Sequence, residues 1–311
     1  MKTSFNGNKP ILVTGAHRSG TTWVGKMLAT DKQSVYLGEP LNVAHPVGLF
    51  EKKIPHWYTY ICDENGAEYL PSFIKMLNFD YALTAQIHTL KTKGDLRRTF
   101  IDQIAFLTGR WQNRRALIKD PFAVFSVAWL LKTFSCNTVI MVRHPAAFVS
   151  SLKYLGWFFD FSHLLQQPLL MQDWLEPYRA EMQQTKTDDI IAQATLLWVM
   201  INSAVHKTIQ LYPQVYLLRH EDLSLSPLEE YQKLYERMGL NFSQKARKSI
   251  LATSNENNPK ELNRQTSHLV RLDSRANIKN WQNRLSADEI LRIKERTIDV
   301  ASLFYTDEDW N

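Results

Sequence analysis

Residues 10–23 read Pro10-Ile11-Leu12-Val13-Thr14-Gly15-Ala16-His17-Arg18-Ser19-Gly20-Thr21-Thr22-Trp23. The first five residues form a short apolar, β-branched run, which predicts a buried strand over Pro10–Thr14. Gly15 to Gly20 is then a tight loop, and Thr21 to Thr30 reads as a helix. A strand feeding a glycine loop and a helix N-terminus builds an anion site. Glycine lets the backbone approach the anion, and the first turn presents N–H groups with the positive end of the helix dipole. Thr21 and Thr22 add hydroxyl donors. The glycine spacing matches G-x-x-x-x-G-K-[ST], but Thr21 stands at the lysine position. The lysine that reaches the outer phosphates of a nucleoside triphosphate is therefore absent. The loop reads as a cradle for one phosphate-like group, without a triphosphate and its magnesium.

Working outward, strands alternate with helices. Tyr36-Leu37 is a second extended piece ending at Gly38-Glu39-Pro40, and Ala116–Lys119 a third. Thr138–Val142 is the clearest buried strand, and Val215–Leu218 another. Helical patterns occupy about 68–78, 95–112, 121–134, 188–211, 227–238, 243–253 and 287–303. A helix also starts at Pro145, a residue suited to a first turn. Ser286 and Glu289 make a capping box for the last helix. Residues 156–185 are irregular and rich in aromatics, and 254–275 read as a polar loop. This alternation predicts an α/β fold with a central parallel sheet flanked by helices. The motifs spread along nearly the whole chain, so residues 1–311 are expected to be one domain with its core at about 10–300.

Composition sets the outer bounds. With 311 residues, 44% hydrophobic and 22% charged, the chain is neither disordered nor fibrous. Lys and Arg outnumber Asp and Glu by 37 to 31, and this net charge of +6 points to an anionic partner. Cys62 and Cys136 allow no disulfide framework and no C-x-x-C metal site, so a reducing compartment and no metal are expected. The polar stretch Met1–Pro10 lacks an apolar signal core, and no run of 18 apolar residues occurs; a cytoplasmic protein without a transmembrane segment is expected.

A second cationic motif follows the strand 138–142. Arg143-His144-Pro145 ends it, and Ser151 lies two helical turns further on. An arginine at a strand end and a serine on the next helix can grip a second phosphate. The two motifs, in this order, resemble the sulfotransferase superfamily that uses 3′-phosphoadenosine 5′-phosphosulfate (PAPS). Arg18-Ser19-Gly20-Thr21-Thr22-Trp23 looks like its 5′-phosphosulfate loop, and Arg143 with Ser151 matches its 3′-phosphate motif. Lys119-Asp120-Pro121-Phe122 is similar to a segment of the tyrosylprotein and some Golgi-type members. Leu218-Arg219-His220-Glu221-Asp222-Leu223 resembles the strand-end Y-E-D-L segment, with His220 in place of the tyrosine near adenine. Trp281 to Ile290 resembles the closing segment of many bacterial members. Arg18, where cytosolic members carry lysine, is similar to the tyrosylprotein and bacterial branches. The cytosolic R-K-G segment has no evident match, and Arg271 and Arg275 are candidates to supply its cations.

The resemblance implies a P-loop-like fold, PAPS as co-substrate and sulfuryl transfer to an acceptor hydroxyl, less readily an amine. It implies that Arg18, with Lys119 at another strand end, neutralises the leaving phosphate, and that Ser19 to Thr22 hold the phosphosulfate. Trp23 is a candidate to stack on adenine. A glutamate at the spacing of Glu39 is catalytic in the tyrosylprotein branch, so Glu39 is the candidate base; His45, His56 and His88 are weaker ones. The aromatics at 156–178 read as helix packing or as an acceptor pocket or lid. Two other readings predict different features. A P-loop kinase or NTPase requires the missing lysine and a Walker-B aspartate where Arg143 stands. A nucleic-acid or nucleotide-binding module requires a basic face, and only Arg110, Arg114 and Arg115 cluster. No nucleic-acid partner is expected. The acceptor class (carbohydrate, lipid, small molecule or peptide) and the oligomeric state are not legible.

Overall fold

The computed structural model describes residues 8–260 and 271–311. Five strands form one sheet: β1 (Ile11–Gly15), β2 (Ser34–Gly38), β3 (Arg115–Lys119), β4 (Asn137–Val142) and β5 (Tyr216–Arg219). Their order is β2-β3-β1-β4-β5, and every pairing is parallel. The expected strands are all present, with boundaries shifted by a residue or two.

The side-chain alternation of each strand divides the core between the two faces. Leu12, Ile118, Ile140 and Val142 enter one apolar cluster; Ile11, Val13, Leu117, Val139 and Met141 enter the other. The second face is covered by α1 (Thr21–Leu28), α12 (Pro227–Met238) and α13 (Gln244–Ser254). The larger first face is covered by α2 (Gly66–Leu77), α5 (Val127–Phe134), α6 (Pro145–Leu155), α10 (Ile190–Leu211) and α16 (Ala287–Ala301). A sheet buried on both faces explains why β1 is apolar at consecutive positions rather than alternating.

Two helices lie beyond the edge strand β2, α3 (Leu83–Ile87) and α4 (Lys93–Trp111). The irregular segment 156–185 contains only short pieces, including α7 (Ser162–Leu165), α8 (Pro168–Leu170) and α9 (Arg179–Gln184). After β5 come α11 (His220–Leu225), α14 (Ser274–Ile278) and α15 (Trp281–Arg284). The Ser286–Glu289 capping box is formed on α16.

One helix differs from expectation. Residues 121–134 form a 3₁₀ segment, Pro121–Ser126, before α5 begins. The buried Asp120 accepts the Phe122 N–H (2.9 Å) and the Leu41 N–H (2.5 Å), and Ser126 Oγ accepts the Ile61 N–H (2.9 Å). These ties hold the turn in a tighter winding than an α-helix.

All strands point the same way, so Gly15, Gly38, Lys119, Val142 and Arg219 end on one edge. Strand order changes direction at β1, and a crevice opens there beyond the carboxyl ends.

Candidate active site

The loop after β1 takes its shape from three left-handed residues. Gly15 has φ +137°, and a Cβ there would lie 2.2 Å from the Met141 carbonyl oxygen of β4. Arg18 has φ 66°. Gly20 has φ +96°, and its Cβ would lie 2.7 Å from His220 Nδ1. Ser19 is buried and donates from Oγ to the Ala16 carbonyl (2.5 Å). The Val24 N–H reaches back to the Gly20 carbonyl (3.1 Å), so the N–H groups of Thr21, Thr22 and Trp23 precede the intrahelical ladder.

Three arginines converge beside this loop. Arg18 Nε donates to Ser151 Oγ (3.1 Å), and Arg143 Nη1 donates to the Arg18 carbonyl (2.8 Å). Arg143 Nε is buried without a hydrogen-bond partner among the described residues. Arg284, from α15, lies with its guanidinium 4.3 Å from the Tyr154 ring centre. Burial, then the neighbouring Arg143 and Arg284 charges, push Arg18 down to about 10. Burial also lowers Arg143, which the nearby Glu221 carboxylate partly opposes. Glu221 holds the frame by accepting the His144 N–H (3.0 Å) and the Tyr305 hydroxyl (3.0 Å). Three like charges held together at a partly buried site are stabilised by an incoming anion.

Glu39 sits at the end of β2 with φ 57°, and its N–H donates to the Lys119 carbonyl (2.7 Å). One carboxylate oxygen accepts from Asn42 Nδ2 (2.7 Å), and the other forms an ion pair with the buried Lys119 ammonium. Next to them, burial pushes Asp120 up to about 7, and the Glu39 charge adds to this.

His17 was not singled out by sequence reasoning. Its backbone N–H donates to the Tyr58 hydroxyl oxygen (3.4 Å), and its Nδ1 lies 2.6 Å from the same oxygen. Tyr58 is fully buried, so its O–H needs an acceptor, and Nδ1 is the one in reach. That assigns the ring proton to Nε2. Burial, with the Arg18 charge adding, pushes the imidazole down to about 4 and keeps it neutral.

Two cavities meet at this loop. One is walled by Arg18, Gly20, Trp23, Arg143, Ser151 and Arg284, with Tyr154, His220, Ser274 and Asn277. The other is walled by His17, Glu39, Asn42, Trp57, Phe122, Trp157, Phe158, Phe159, Asp160 and His163. Arg18, Thr21 and Thr22 line both.

The sequence candidates are thus brought together with few exceptions. Arg18, Gly20, Thr21, Thr22, Trp23, Arg143 and Ser151 all face the first cavity, and buried Ser19 braces their loop. Trp23 also packs into the core, donating to Thr253 Oγ1 (2.9 Å) with its edge toward Tyr231. Lys119 lines neither cavity and lies behind Glu39. Arg271 and Arg275 are exposed and off the cavity wall, and Arg275 donates to the Leu225 carbonyl (3.0 Å). The cation that sequence reasoning left unassigned is Arg284, within the Trp281–Ile290 segment. His45 is tied to the Asn42 and Phe50 carbonyls (2.7 and 2.8 Å), and His88 is exposed. His56 packs against His163 and is not on the second cavity's wall. The aromatic stretch divides: Trp157, Phe158 and Phe159 face the second cavity, whereas Phe161 is core and Tyr178 bonds to Ser203 (3.0 Å).

A family model described as the sulfotransferase family matches residues 10–244, and the chain belongs to that family. It is therefore a sulfuryl-transferring enzyme. No curated protein matches the chain. Among solved structures it is similar to the sulfotransferase domain of the Synechococcus PCC 7002 olefin synthase. Identity is 17%, coverage 99% of this chain and 98% of that one, and the TM-score 0.49. The sulfotransferase domain from the curacin biosynthetic pathway shares 16% identity over 96% of this chain and 98% of that one (TM-score 0.47). Sulfotransferase STF9 from Mycobacterium avium shares 14% identity over 96% and 78% (TM-score 0.47). Among the described residues no helix is long and apolar enough to cross a membrane, and no group of three or more His, Cys, Asp or Glu is placed to hold a metal.

Proposed function

We propose that the protein, with residues 1–311 acting as one catalytic unit, transfers a sulfuryl group from PAPS to an acceptor hydroxyl. The observation that carries this reading is the shared wall of Arg18, Thr21 and Thr22 between a cationic cavity and one bearing a carboxylate. The first cavity suits a bisphosphorylated nucleotide. Arg143 has an unused buried N–H, Gly20 leaves a space that a Cβ would close, and three guanidiniums converge there.

When bound, PAPS supplies the activated sulfuryl group. Arg143 and Ser151 hold the 3′-phosphate, with Arg284 beside them. Arg18, the first-turn N–H groups and the two threonine hydroxyls hold the 5′ end, and Arg18 stabilises charge on the departing phosphate oxygen. Trp23 and His220 wall the adenine. Glu39 takes the acceptor hydroxyl's proton as the acceptor oxygen bonds to sulfur and the bond from sulfur to the leaving phosphate breaks. Lys119 pairs with Glu39 and positions its carboxylate. His17 offers an N–H, not a lone pair, to the second cavity, so it does not compete with Glu39 as the base.

Calorimetric titration with adenosine 3′,5′-bisphosphate tests the nucleotide half, and transfer of labelled sulfate from PAPS to a panel of alcohols, phenols and sugars tests the reaction. Binding without magnesium is expected. Absence of binding, or magnesium-dependent ATP binding instead, would overturn the reading.

A further inference from the structure

Helix α4 turns an apolar stripe outward. Leu96, Phe100, Ile104, Leu107 and Trp111 are all exposed, Phe100 to 66% and Trp111 to 84%. At 3.6 residues per turn these five fall within an arc of about 80°, in a stripe about 22 Å long. Exposed Ile101 widens it, and α3, packed against α4, carries exposed Leu83 and Ile87. The helix's opposite face is the buried one: Thr99, Phe106 and Gly109 pack toward Val35, Phe79 and Tyr81 beside β2. Both long faces of α4 therefore carry apolar residues, and among the described residues only one is covered.

Charge selects the occupant. Arg97 flanks the stripe on one side and Arg110 on the other, Lys93 stands at its N-terminal end, all three are exposed, and Lys91 precedes the helix. The acids of α4 lie toward the protein. Asp95 is held in the capping box with Thr92, and Asp102 is half-buried beside Arg98, with burial raising its carboxyl. The outward face thus carries apolar residues and cations, with an indole at one end. That is the pattern of a helix lying in the interface of an anionic bilayer. A second copy fits it less well, because two-fold pairing of α4 would bring Lys93, Arg97 and Arg110 against their own kind.

We infer that the outward face of α4, with α3 beside it, docks the protein on an anionic lipid surface. Leu96, Phe100, Leu107 and Trp111 enter the headgroup boundary, and Lys93, Arg97 and Arg110 meet lipid phosphates. This surface is separate from the reaction, so its test stands apart from the sulfuryl-transfer reading.

The test is co-sedimentation of the full chain with vesicles of phosphatidylcholine, alone or mixed with phosphatidylglycerol. Partition about tenfold stronger onto the anionic vesicles is expected, falling as salt is added. The Phe100→Ser, Trp111→Ser double variant is expected to lose binding. Arg97→Gln and Arg110→Gln are each expected to weaken it about fivefold and to flatten the salt dependence. All four positions are exposed, so thermal midpoints should stay at the wild-type value. The inference is overturned if the wild type does not partition, or partitions no better than the variants. It is equally overturned if sedimentation equilibrium shows a dimer that the double variant dissociates, since the face would then belong to a second copy.

Discussion

The two cavities that meet at Arg18 are built in different ways. The cationic one is drawn largely from the ends of regular elements: the β1–α1 loop, the β4–α6 junction, α11 and α15. The aromatic one is drawn largely from irregular chain, Trp57 and the stretch 157–163. Strand ends and helix N-termini are fixed by the hydrogen bonds of the whole sheet, so they hold phosphate donors rigidly. Loops change side chains without disturbing that frame, so they suit an acceptor pocket. In the proposed reading the donor side is a property of the fold and the acceptor side a property of this chain.

The largest expected effect tests whether the halves act separately. Glu39→Gln should lower turnover by about 10²–10⁴ while leaving the nucleotide Kd within about twofold. Steady-state sulfate transfer and calorimetry read the two quantities. Near-normal turnover would remove Glu39 from the base role and break the comparison on the acceptor side.

Arg143→Ala tests the other half. Loss of charge-assisted contacts to phosphate should weaken nucleotide binding by about 2 kcal/mol, near thirtyfold in Kd. The acceptor KM at saturating PAPS should be unchanged. An equal change in both constants would mean that the cavities are one site.

A third experiment tests the rigidity of the donor frame through pH. His144 follows Arg143 and is buried among Trp281, Tyr305 and Trp310, and burial pushes its imidazole down to about 3. The unfolded chain protonates this histidine near pH 6.5, while the folded chain keeps it neutral. Protons therefore favour unfolding between about pH 6.5 and 3, at about 1.4 kcal/mol per pH unit. His144→Phe removes that loss. Urea midpoints of wild type and variant should run parallel above pH 6.5 and diverge below it, with the variant the more stable. Parallel curves throughout would mean that the frame opens to water.

The smallest effect is on the acceptor wall. Trp157 is 40% exposed and lies over the Arg18 guanidinium, 5.6 Å from ring centre to charge. Trp157→Ala should raise the acceptor KM about fivefold, near 1 kcal/mol, with nucleotide affinity little changed. A larger effect on the nucleotide would place Trp157 in the donor half.

Much of the donor side was legible in one dimension. The strands, the Gly15–Gly20 loop and the Arg143–Ser151 pair are local patterns, and parallel topology forces all strand ends to one edge. What escaped depends on long-range packing. Arg284 reaches the cavity because α15 and α16 fold back over α6; the Trp281–Ile290 segment was singled out in the sequence, but its arginine was not chosen over Arg271 or Arg275. His17 sits inside the quoted loop, but its tautomer depends on the hydroxyl of Tyr58, 41 residues away. The 3₁₀ turn after Asp120 was missed because its capping bonds reach Leu41 and Ile61.

The sequence by itself determined the α/β alternation, the phosphate loop without its lysine and the resemblance that the family match bears out. Backbone periodicity and glycine placement are local, and local geometry is written residue by residue. Only the tertiary structure decided that Glu39 pairs with Lys119, that Arg284 joins Arg18 and Arg143, and that one apolar face of α4 is left uncovered by the described residues. Each of these depends on which distant side chains share a low-dielectric space, a relation that sequence order does not encode.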